Sequence, residues 1–350
     1  MKLFTAAVAA FFALVLPFGA VLAAPPALDA SVRGQVIDSL SRQLQDYYVY
    51  PDVAEKIASA LQAKQRRGDY DSIIEPKVFA NVLTDDLREV GHDKHLRVNT
   101  GDTPAPSGPA GIAPSAEQQA DMQKQMAAHG YGIAKVETLM GNVGYLDVRG
   151  FGRVEFSAPA ITAAMTHLAD SDALIIDMRH NGGGDWAGVA FLCSYLFDAR
   201  THLDDLYWRN GDKTQENWTN SDVPGKRYGQ RKAVYVLTGP RTFSAGEEFS
   251  YDLQQLKRAT LIGETTGGGA NPGRMRLLTP YFAAFIPNGR VINPISKTSW
   301  EGTGVLPEIN VPADEALTTA HRLALEKLAS VSSDPQKAIQ LEARMREIMH

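Results

Sequence analysis

The sequence predicts an α/β core that follows a small bundle of N-terminal helices. Three patterns support this prediction. Apolar residues recur every four positions before residue 90, short apolar strand-like runs alternate with helical segments after residue 130, and a stretch rich in proline, glycine and serine separates the two regions. The chain has 350 residues, of which 44% are hydrophobic and 21% are charged. This is an ordinary globular composition, and the length suffices for one large domain or two smaller ones.

The first 23 residues have the layout of a secretory signal peptide. Met1 and Lys2 supply a short positive end, an apolar run extends from Leu3 to Leu16, and small residues then lead to Ala23. The run is short for a membrane span, so we expect cleavage after Ala23 rather than a retained anchor. The mature chain is then expected to be periplasmic or extracellular.

Charge and cysteine content narrow the possible functions. The net charge is -5 and no long basic run is present, which argues against a nucleic-acid partner. Cys193 is the only cysteine, so it cannot form an internal disulfide. Its apolar surroundings, GVAFLCSYLF, predict a buried core residue rather than a thiol nucleophile.

Residues 30–97 are predicted to form an N-terminal helical domain of three helices. One helix face is marked by apolar residues at a spacing of four: Val32, Val36, Leu40 and Leu44. Pro51 suits the first turn of the second helix, and the third runs from about residue 76 to residue 90. Residues 98–130 are predicted to be a linker that ends in a polar helix, because their first part is rich in Pro, Gly and Ser.

Residues 131–312 are predicted to form the α/β core. Helical segments alternate with strands that read NVGYLDVRGF, ALIIDMR, AVYVLTG and TLIGET. This alternation predicts a sheet with parallel strands. Asn288-Gly289 is predicted to turn a hairpin in MRLLTPYFAAFIPNGRVINP, and residues 313–350 are predicted to form a C-terminal helical tail.

Ser244 lies between a predicted strand and a predicted helix, in PRTFSAGEEFSYDL. Glu247 follows three residues later, which is the spacing of a capping box and predicts a helix cap. The position also suits a nucleophile, because ligands gather at the carboxyl ends of strands and a helix N-terminus stabilises negative charge. The amide of Ala245 lacks a helical partner there. A serine hydroxyl still needs a base, which need not be near in sequence.

A second loop, IIDMRHNGGGDW, runs from a buried strand into three glycines. Glycines permit unusual backbone angles, and the free amides of such a turn can bind an anion. The turn lacks GxGxxG spacing and a P-loop lysine, which argues against a nucleotide site. It is either a tight turn without a ligand or an oxyanion hole. His180 and Asp185 flank the turn as candidate substrate contacts, although an ordinary loop role is an equal alternative.

Together the two loops resemble the tail-specific, or C-terminal processing, serine peptidases. DMRHNGGG is similar to the D-L-R-x-N-x-G-G element of that family. VLTGPRTFSAGEEFSYDLQQLKRATLIGETTGGG is similar to its nucleophile helix and following strand. The resemblance extends from about residue 30 to residue 312. It implies a crotonase/ClpP-like α/β core, Ser244 as the nucleophile, and the amides of Gly183 and Ala245 as the oxyanion hole.

The resemblance also implies which residue is the base. Many members use a lysine in a G-x-T-x-G-K-G element, and this chain has Gly268 at that position in GETTGGG. The other branch, which includes the tricorn core and the interphotoreceptor retinoid-binding modules, uses an upstream histidine. His95 in REVGHDKHLRV matches that histidine, and Glu301 in WEGTGVLPEINV matches an acidic residue of the same branch. His95 is then the general base and acid, and Glu301 a polar partner.

The chain departs from this branch in the residue before the histidine. Tricorn-like members have a serine there, and this chain has Lys94. The residue that orients the imidazole is therefore open between Asp93, Glu301 and a hydroxyl such as Ser299. His92-Asp93-Lys94-His95 could be a metal cluster, but no third ligand motif with metal spacing is visible, so no metal is expected there. The serine peptidase reaction needs no cofactor.

The sequence thus predicts a secreted serine peptidase with a protein or peptide substrate. Family members often carry a PDZ domain, but residues 98–135 are too few for one. The retinoid-binding modules share the architecture, so the main alternative is a non-proteolytic binding protein for apolar ligands. An esterase is a further alternative, because serine–histidine chemistry alone does not separate the two hydrolases.

Overall fold

The computed structural model describes residues 28–101 and 116–348. The expected signal peptide and its cleavage point lie outside these ranges. The helices are α1 (Ala30–Tyr47), α2 (Pro51–Arg67), α3 (Pro76–Gly91), α4 (Ala116–Ala128), α5 (Val154–Leu168), α6 (Trp186–Cys193), α7 (Ala245–Gln255), α8 (Ala316–Val331) and α9 (Pro335–Glu347). A membrane-spanning helix, judged by length and hydrophobicity, is not found in the described ranges.

The strands follow the order in which the chain meets them. They are β1 (Arg97–Thr100), β2 (Ile133–Leu139), β3 (Val143–Val148), β4 (Ala173–Asp177), β5 (His202–Trp208), β6 (Lys213–Trp218), β7 (Ala233–Thr238), β8 (Thr260–Gly263), β9 (Gly273–Thr279), β10 (Phe282–Pro287), β11 (Gly289–Ile292) and β12 (Ile309–Asn310). The predicted mixture of helices and strands is confirmed.

The three N-terminal helices form as the apolar spacing predicts. Val36, Leu40 and Leu44 are fully buried on one face of α1. Pro51 and Pro76 are the first residues of α2 and α3, where proline loses no helical hydrogen bond.

The central sheet has six strands in the order β12-β8-β7-β4-β3-β2. All neighbours are parallel except β2 and β3. Alternate residues of each strand point to opposite faces of the sheet. Helices α5, α6 and α7 cover one face, and α8 covers the other. Strands β4 and β7 are neighbours, with Asp177 opposite Leu237. The loops that follow these two strands therefore leave the sheet at the same edge.

The N-terminal helices share a hydrophobic core with strands that lie downstream of α7. Their cluster includes Leu278, Phe282 and Ile286 from β9 and β10. Phe79 of α3 packs edge-on against Phe282, with ring centroids 6.0 Å apart. This shared core holds the chain around residue 95 in a defined place against the α/β core.

Two features differ from the prediction. Residues 98–100, expected to begin a linker, form part of β1 and pair with β10. The hairpin of β9 and β10 turns at Pro280-Tyr281. The prediction that it turns at Asn288-Gly289 is therefore wrong. At Gly289 the chain instead passes to another sheet, where β11 pairs with β5. A side chain at Gly289 would lie 2.8 Å from the Trp208 ring, so close strand packing explains the glycine.

Candidate active site

Ser244 is the N-cap of α7, directly after the loop that follows β7. It forms the predicted capping box with Glu247. Its backbone has φ 54° and ψ -122°, whereas an ordinary N-cap is extended. A non-glycine residue in this region costs about 1–3 kcal/mol, and such strain concentrates at functional sites. Ser244 is also partly exposed, so a strained backbone and solvent access occur at the same residue.

Glu247 connects the Ser244 turn to the glycine loop that follows β8. It is completely buried. Its carboxylate accepts hydrogen bonds from the amides of Ser244, Gly268 and Gly269 and from the hydroxyl of Thr266. Burial raises the pKa of Glu247, and the four donors oppose that rise. The sequence indicated Glu247 only as a capping residue.

The glycine turn after β4 lies directly against Ser244. Gly183 has φ 103°, and a Cβ atom there would lie 2.8 Å from the Cβ of Ser244. The amide of Gly183 donates to Asn181 Oδ1 at 2.9 Å. The Ala245 amide, by contrast, has no protein acceptor within residues 28–101 and 116–348. Of the two amides expected to form an oxyanion hole, one is free and the other is held by a side chain.

Asn181 links the glycine turn to the Ser244 loop. It is fully buried, and its side-chain amide donates to the carbonyl of Val148. The backbone carbonyl of Asn181 accepts a hydrogen bond from the backbone amide of Phe243 at 2.9 Å. It was not selected from the sequence, although it occupies the asparagine position of the D-L-R-x-N-x-G-G element.

His95 lies in the turn between α3 and β1 and is 4% exposed. Its ring packs between Phe243, at a centroid distance of 4.6 Å, and Phe285, at 5.8 Å. Because Phe243 immediately precedes Ser244, the imidazole lies beside the serine turn. A Cβ atom at Gly269 would lie 2.8 Å from His95 Cε1, so only glycine fits there. Both ring nitrogens are buried without a hydrogen-bond partner, so no bond to Ser244 is formed in this structure.

Asp93 is the acidic residue bonded to the histidine turn. Its Oδ1 accepts from the backbone amide of His95 at 2.9 Å and lies 3.7 Å from Nδ1 of the ring. Its Oδ2 accepts from the hydroxyl of Tyr48 and the side-chain amide of Asn271. The carboxylate is therefore fixed on one side and faces the imidazole with the other.

Glu301 completes a group of three with Asp93 and His95. One polar atom from each of the three side chains lies within 4.8 Å of the other two. Glu301 Oε2 accepts from the amides of Ala270 and Asn271, whereas Oε1 is buried without a partner. Burial, together with the negative charge of Asp93, raises the pKa of Glu301 to about 8.

Two other candidates for orienting His95 point elsewhere. The ammonium group of Lys94 donates to the carbonyl of Gly267 at 2.6 Å. The hydroxyl of Ser299 accepts from the amide of Glu301 at 3.4 Å. These contacts leave Asp93 and Glu301 as the polar residues around the imidazole.

His180 and Asp185 lie on either side of the glycine turn, as the sequence indicates. His180 is exposed, and the Arg241 guanidinium donates to its Nδ1 at 2.5 Å. Asp185 is the N-cap of α6, where its two oxygens accept from the amides of Ala187 and Val154. Both Asp185 oxygens are thus engaged by the backbone.

Comparisons with known proteins agree with this architecture. Residues 142–311 match Peptidase family S41, and residues 27–131 match the N-terminal domain of Peptidase_S41 in eukaryotic IRBP. The carboxyl-terminal-processing protease of Synechocystis sp. is 31% identical over 128 residues, which are 36% of this chain and 28% of that protein. The match thus spans under a third of the length of that relative.

Two solved structures share the fold. A putative peptidase from Parabacteroides merdae has a TM-score of 0.58 and 19% identity, over 86% of this chain and 99% of that chain. The tricorn protease has a TM-score of 0.52 and 13% identity, over 91% of this chain and 37% of that chain. With the two family matches covering most of its length, the chain belongs to peptidase family S41, a family of serine-type peptidases.

Proposed function

We propose that this chain hydrolyses peptide bonds with Ser244 as its nucleophile and His95 as its general base. The observation that carries the proposal is the position of an unpartnered, buried imidazole beside Phe243, the residue before a strained and accessible serine. Strained turns between a strand and a helix present nucleophiles in other hydrolases. A hydroxyl at such a turn needs an adjacent base, and His95 meets that need.

The reaction begins when Ser244 Oγ attacks the carbonyl carbon of the peptide while His95 takes the hydroxyl proton. His95 then gives that proton to the leaving amine, which separates as the acyl-enzyme forms. Water attacks the ester in the second half, with His95 again taking and returning a proton. Because His95 and Ser244 are not hydrogen-bonded here, the contact forms when substrate binds, as is common for unliganded sites.

The Ala245 amide stabilises the oxyanion that develops on the substrate carbonyl. It belongs to the first turn of α7 and has no protein acceptor within the described ranges, so it is free to donate. The Gly183 amide is the second donor. It must first exchange its bond to Asn181 for one to the substrate, which makes Asn181 part of the machinery that sets the hole.

Asp93 orients the imidazole through Nδ1. Its position 3.7 Å from that nitrogen supports this role, and the anchoring of its other oxygen limits its movement. The 3.7 Å distance is longer than a hydrogen bond, so the ring rotates or shifts slightly to complete the contact. Glu301 is the polar partner on the same side, and its raised pKa avoids two adjacent buried negative charges.

The substrate is a protein or peptide outside the cytoplasm. The signal-peptide layout of the first 23 residues supports the periplasmic or extracellular location. His180 and Arg241, which are exposed beside the glycine turn, are the candidates for contacts to the substrate.

A binding function for apolar ligands is favoured by a separate observation. A cavity of about 600 Å³ lies between the N-terminal helices and the sheet of β1, β10 and β9. Its size is that of small-molecule sites. Its lining combines apolar residues such as Val98 and Phe282 with polar and charged ones such as Glu75 and Lys77. Neither Ser244 nor His95 lines it.

Hydrolysis assays distinguish these functions. The purified protein and its Ser244→Ala variant are incubated with a peptide library and with short-chain esters, and products are identified by mass spectrometry. The proposal predicts peptide cleavage that the variant lacks. Cleavage of esters alone supports the esterase. Absence of all serine-dependent turnover, with saturable binding of a lipophilic dye, supports the carrier.

A further inference from the structure

We infer that Asp93, His95 and Glu301 form a binding site for a zinc ion, and that the bound ion switches the peptidase off. The inhibitory part of this inference rests on the proposed role of His95 as the base. The binding part does not, because it depends only on the three side chains.

The geometry of the three groups suits a metal ion. One candidate ligand atom from each lies within 4.8 Å of the other two. Ligands of a tetrahedral zinc ion lie about 2.0–2.2 Å from the metal and thus about 3.4 Å from one another. Side-chain movements of about 1 Å are therefore sufficient to close the site, with water as the fourth ligand.

Unpartnered atoms point to a missing ligand at this place. His95 Nδ1 and Nε2 and Glu301 Oε1 are all buried without hydrogen bonds. Buried polar atoms normally have partners, so three orphans in one cluster require an explanation. Neither carboxylate forms an ion pair with a lysine or arginine of the described residues, since the ion pair of Asp93 is with His95. A divalent cation satisfies Glu301 Oε1 and one of the two ring nitrogens of His95, and it compensates both carboxylates.

The surrounding hydrogen bonds hold the carboxylates in the manner of a metal site. Tyr48 and Asn271 donate to Oδ2 of Asp93, and Oδ1, which accepts from the backbone amide of His95, faces the cluster with its remaining lone pair. Backbone amides donate to Oε2 of Glu301, which leaves Oε1 toward the cluster. Outer partners of this kind orient ligands and raise metal affinity. One imidazole nitrogen with two carboxylate oxygens favours zinc over magnesium or calcium.

Zinc binding opposes catalysis because the same imidazole serves both. A neutral imidazole that coordinates zinc through one ring nitrogen carries its proton on the other, so neither nitrogen has a free lone pair for the Ser244 proton. Removal of the ion by a chelator restores the base. The site thereby links peptidase activity to the zinc concentration around the protein.

The binding test uses the full chain with the Ser244→Ala substitution, so that hydrolysis is not needed. Titration with zinc chloride against a chromophoric chelator is expected to reveal one site. Glu301→Gln in this background is expected to weaken binding at least about tenfold. His92→Asn is the matched control, because His92 is exposed in the same turn, and it is expected to bind as before. Thermal unfolding verifies that each variant is folded.

The inhibition test uses the unsubstituted chain and a peptide that this chain cleaves in the hydrolysis assays. Zinc is expected to abolish cleavage, and EDTA to restore it. Failure of the Ser244→Ala protein to bind zinc, or binding that Glu301→Gln leaves unchanged, overturns the site. Zinc binding without inhibition overturns the switch. Absence of peptide cleavage under zinc-free conditions refutes the proposed function instead and leaves the binding result standing.

Discussion

The backbone amide of Ser244 donates to the carboxylate of Glu247 at 2.9 Å, and the same carboxylate accepts from the amides of Gly268 and Gly269. Gly269 packs against the ring of His95. A single buried carboxylate thus joins the Ser244 turn to the loop that packs against His95. Residues far apart in the chain are held together by this one side chain.

Glu247→Gln is therefore expected to disturb catalysis beyond its effect on stability. The glutamine NH₂ cannot accept, so some of the four donors lose their partner. We expect the free energy of unfolding to fall by about 1–3 kcal/mol and kcat to fall by about 10² with a smaller change in KM. Steady-state kinetics and urea unfolding measure the two effects. Glu308→Gln, which also removes an acceptor for one backbone amide, is the control. An unchanged kcat in the folded variant refutes the positioning role.

Backbone strain at Ser244 predicts an unusual order of stabilities. Alanine at this position keeps the strained φ of 54°, whereas glycine adopts it freely. We expect Ser244→Gly to be more stable than Ser244→Ala by about 1 kcal/mol, with both inactive. Thermal or urea unfolding of the two variants measures the difference. If Ser244→Ala is the more stable protein, the turn is not strained.

Substitutions of Asp93 and of Lys94 are expected to have very different effects on kcat. Asp93→Asn removes the negative charge beside Nδ1, so we expect kcat to fall by at least about 10². Lys94→Ser, which restores the serine of tricorn-like relatives, is expected to change kcat by less than about threefold, because Lys94 points to Gly267. The pH profile of kcat/KM is also expected to shift in Asp93→Asn. Equal activities in the two variants would contradict the assignment of Asp93.

A second acidic cluster predicts how stability depends on pH. Glu248 and Asp252 of α7 are buried together with Asp204 of β5. Burial raises the pKa of Asp204 from 3.8 to about 6 and also raises the pKa values of Glu248 and Asp252. Folded Asp204 therefore holds its proton more tightly than the unfolded chain does. Its contribution to stability is complete below pH 3.8 and is lost as the pH rises to about 6.

Asp204→Asn is thus expected to stabilise the protein at pH 7.5 by about 1–3 kcal/mol. The amide keeps the acceptor for Asn217 and adds a donor toward the other carboxyl groups. The gain is expected to shrink as the pH falls from about 6 to about 4. Urea unfolding across this range measures it. Asp212→Asn, an exposed site, is the control and is expected to show no such trend. A destabilised Asp204→Asn at pH 7.5 contradicts the account.

Local signals in the sequence were sufficient for the main elements. Apolar spacing predicted α1, prolines marked the starts of α2 and α3, and apolar runs marked β4 and β7. Strand β6 was missed because its sequence, KTQENW, is polar and mostly exposed. The hairpin turn was misplaced because Asn288-Gly289 has a strong turn signal, whereas the demand for glycine there comes from packing against Trp208.

The candidate site was predictable where a motif or a chain neighbour marks a residue. The cap formed by Ser244 and Glu247 follows from spacing, and the glycine turn follows from the glycine run. The assignments of Gly183, His95 and Glu301 came from the resemblance to a family. The other bonds of Glu247, the bond between Asn181 and Gly183, and the approach of Glu301 to Asp93 all depend on tertiary contacts. No local pattern encodes them, so they required coordinates.

The most direct test of the central claim is labelling by a fluorophosphonate probe, read by intact mass and peptide mapping. We expect one adduct on Ser244, formed at least about 10³ times more slowly when His95 is replaced by glutamine. We also expect no adduct in Ser244→Ala. Absence of labelling in the folded, zinc-free protein, an adduct on another residue, or a rate that does not depend on His95 would contradict the claim.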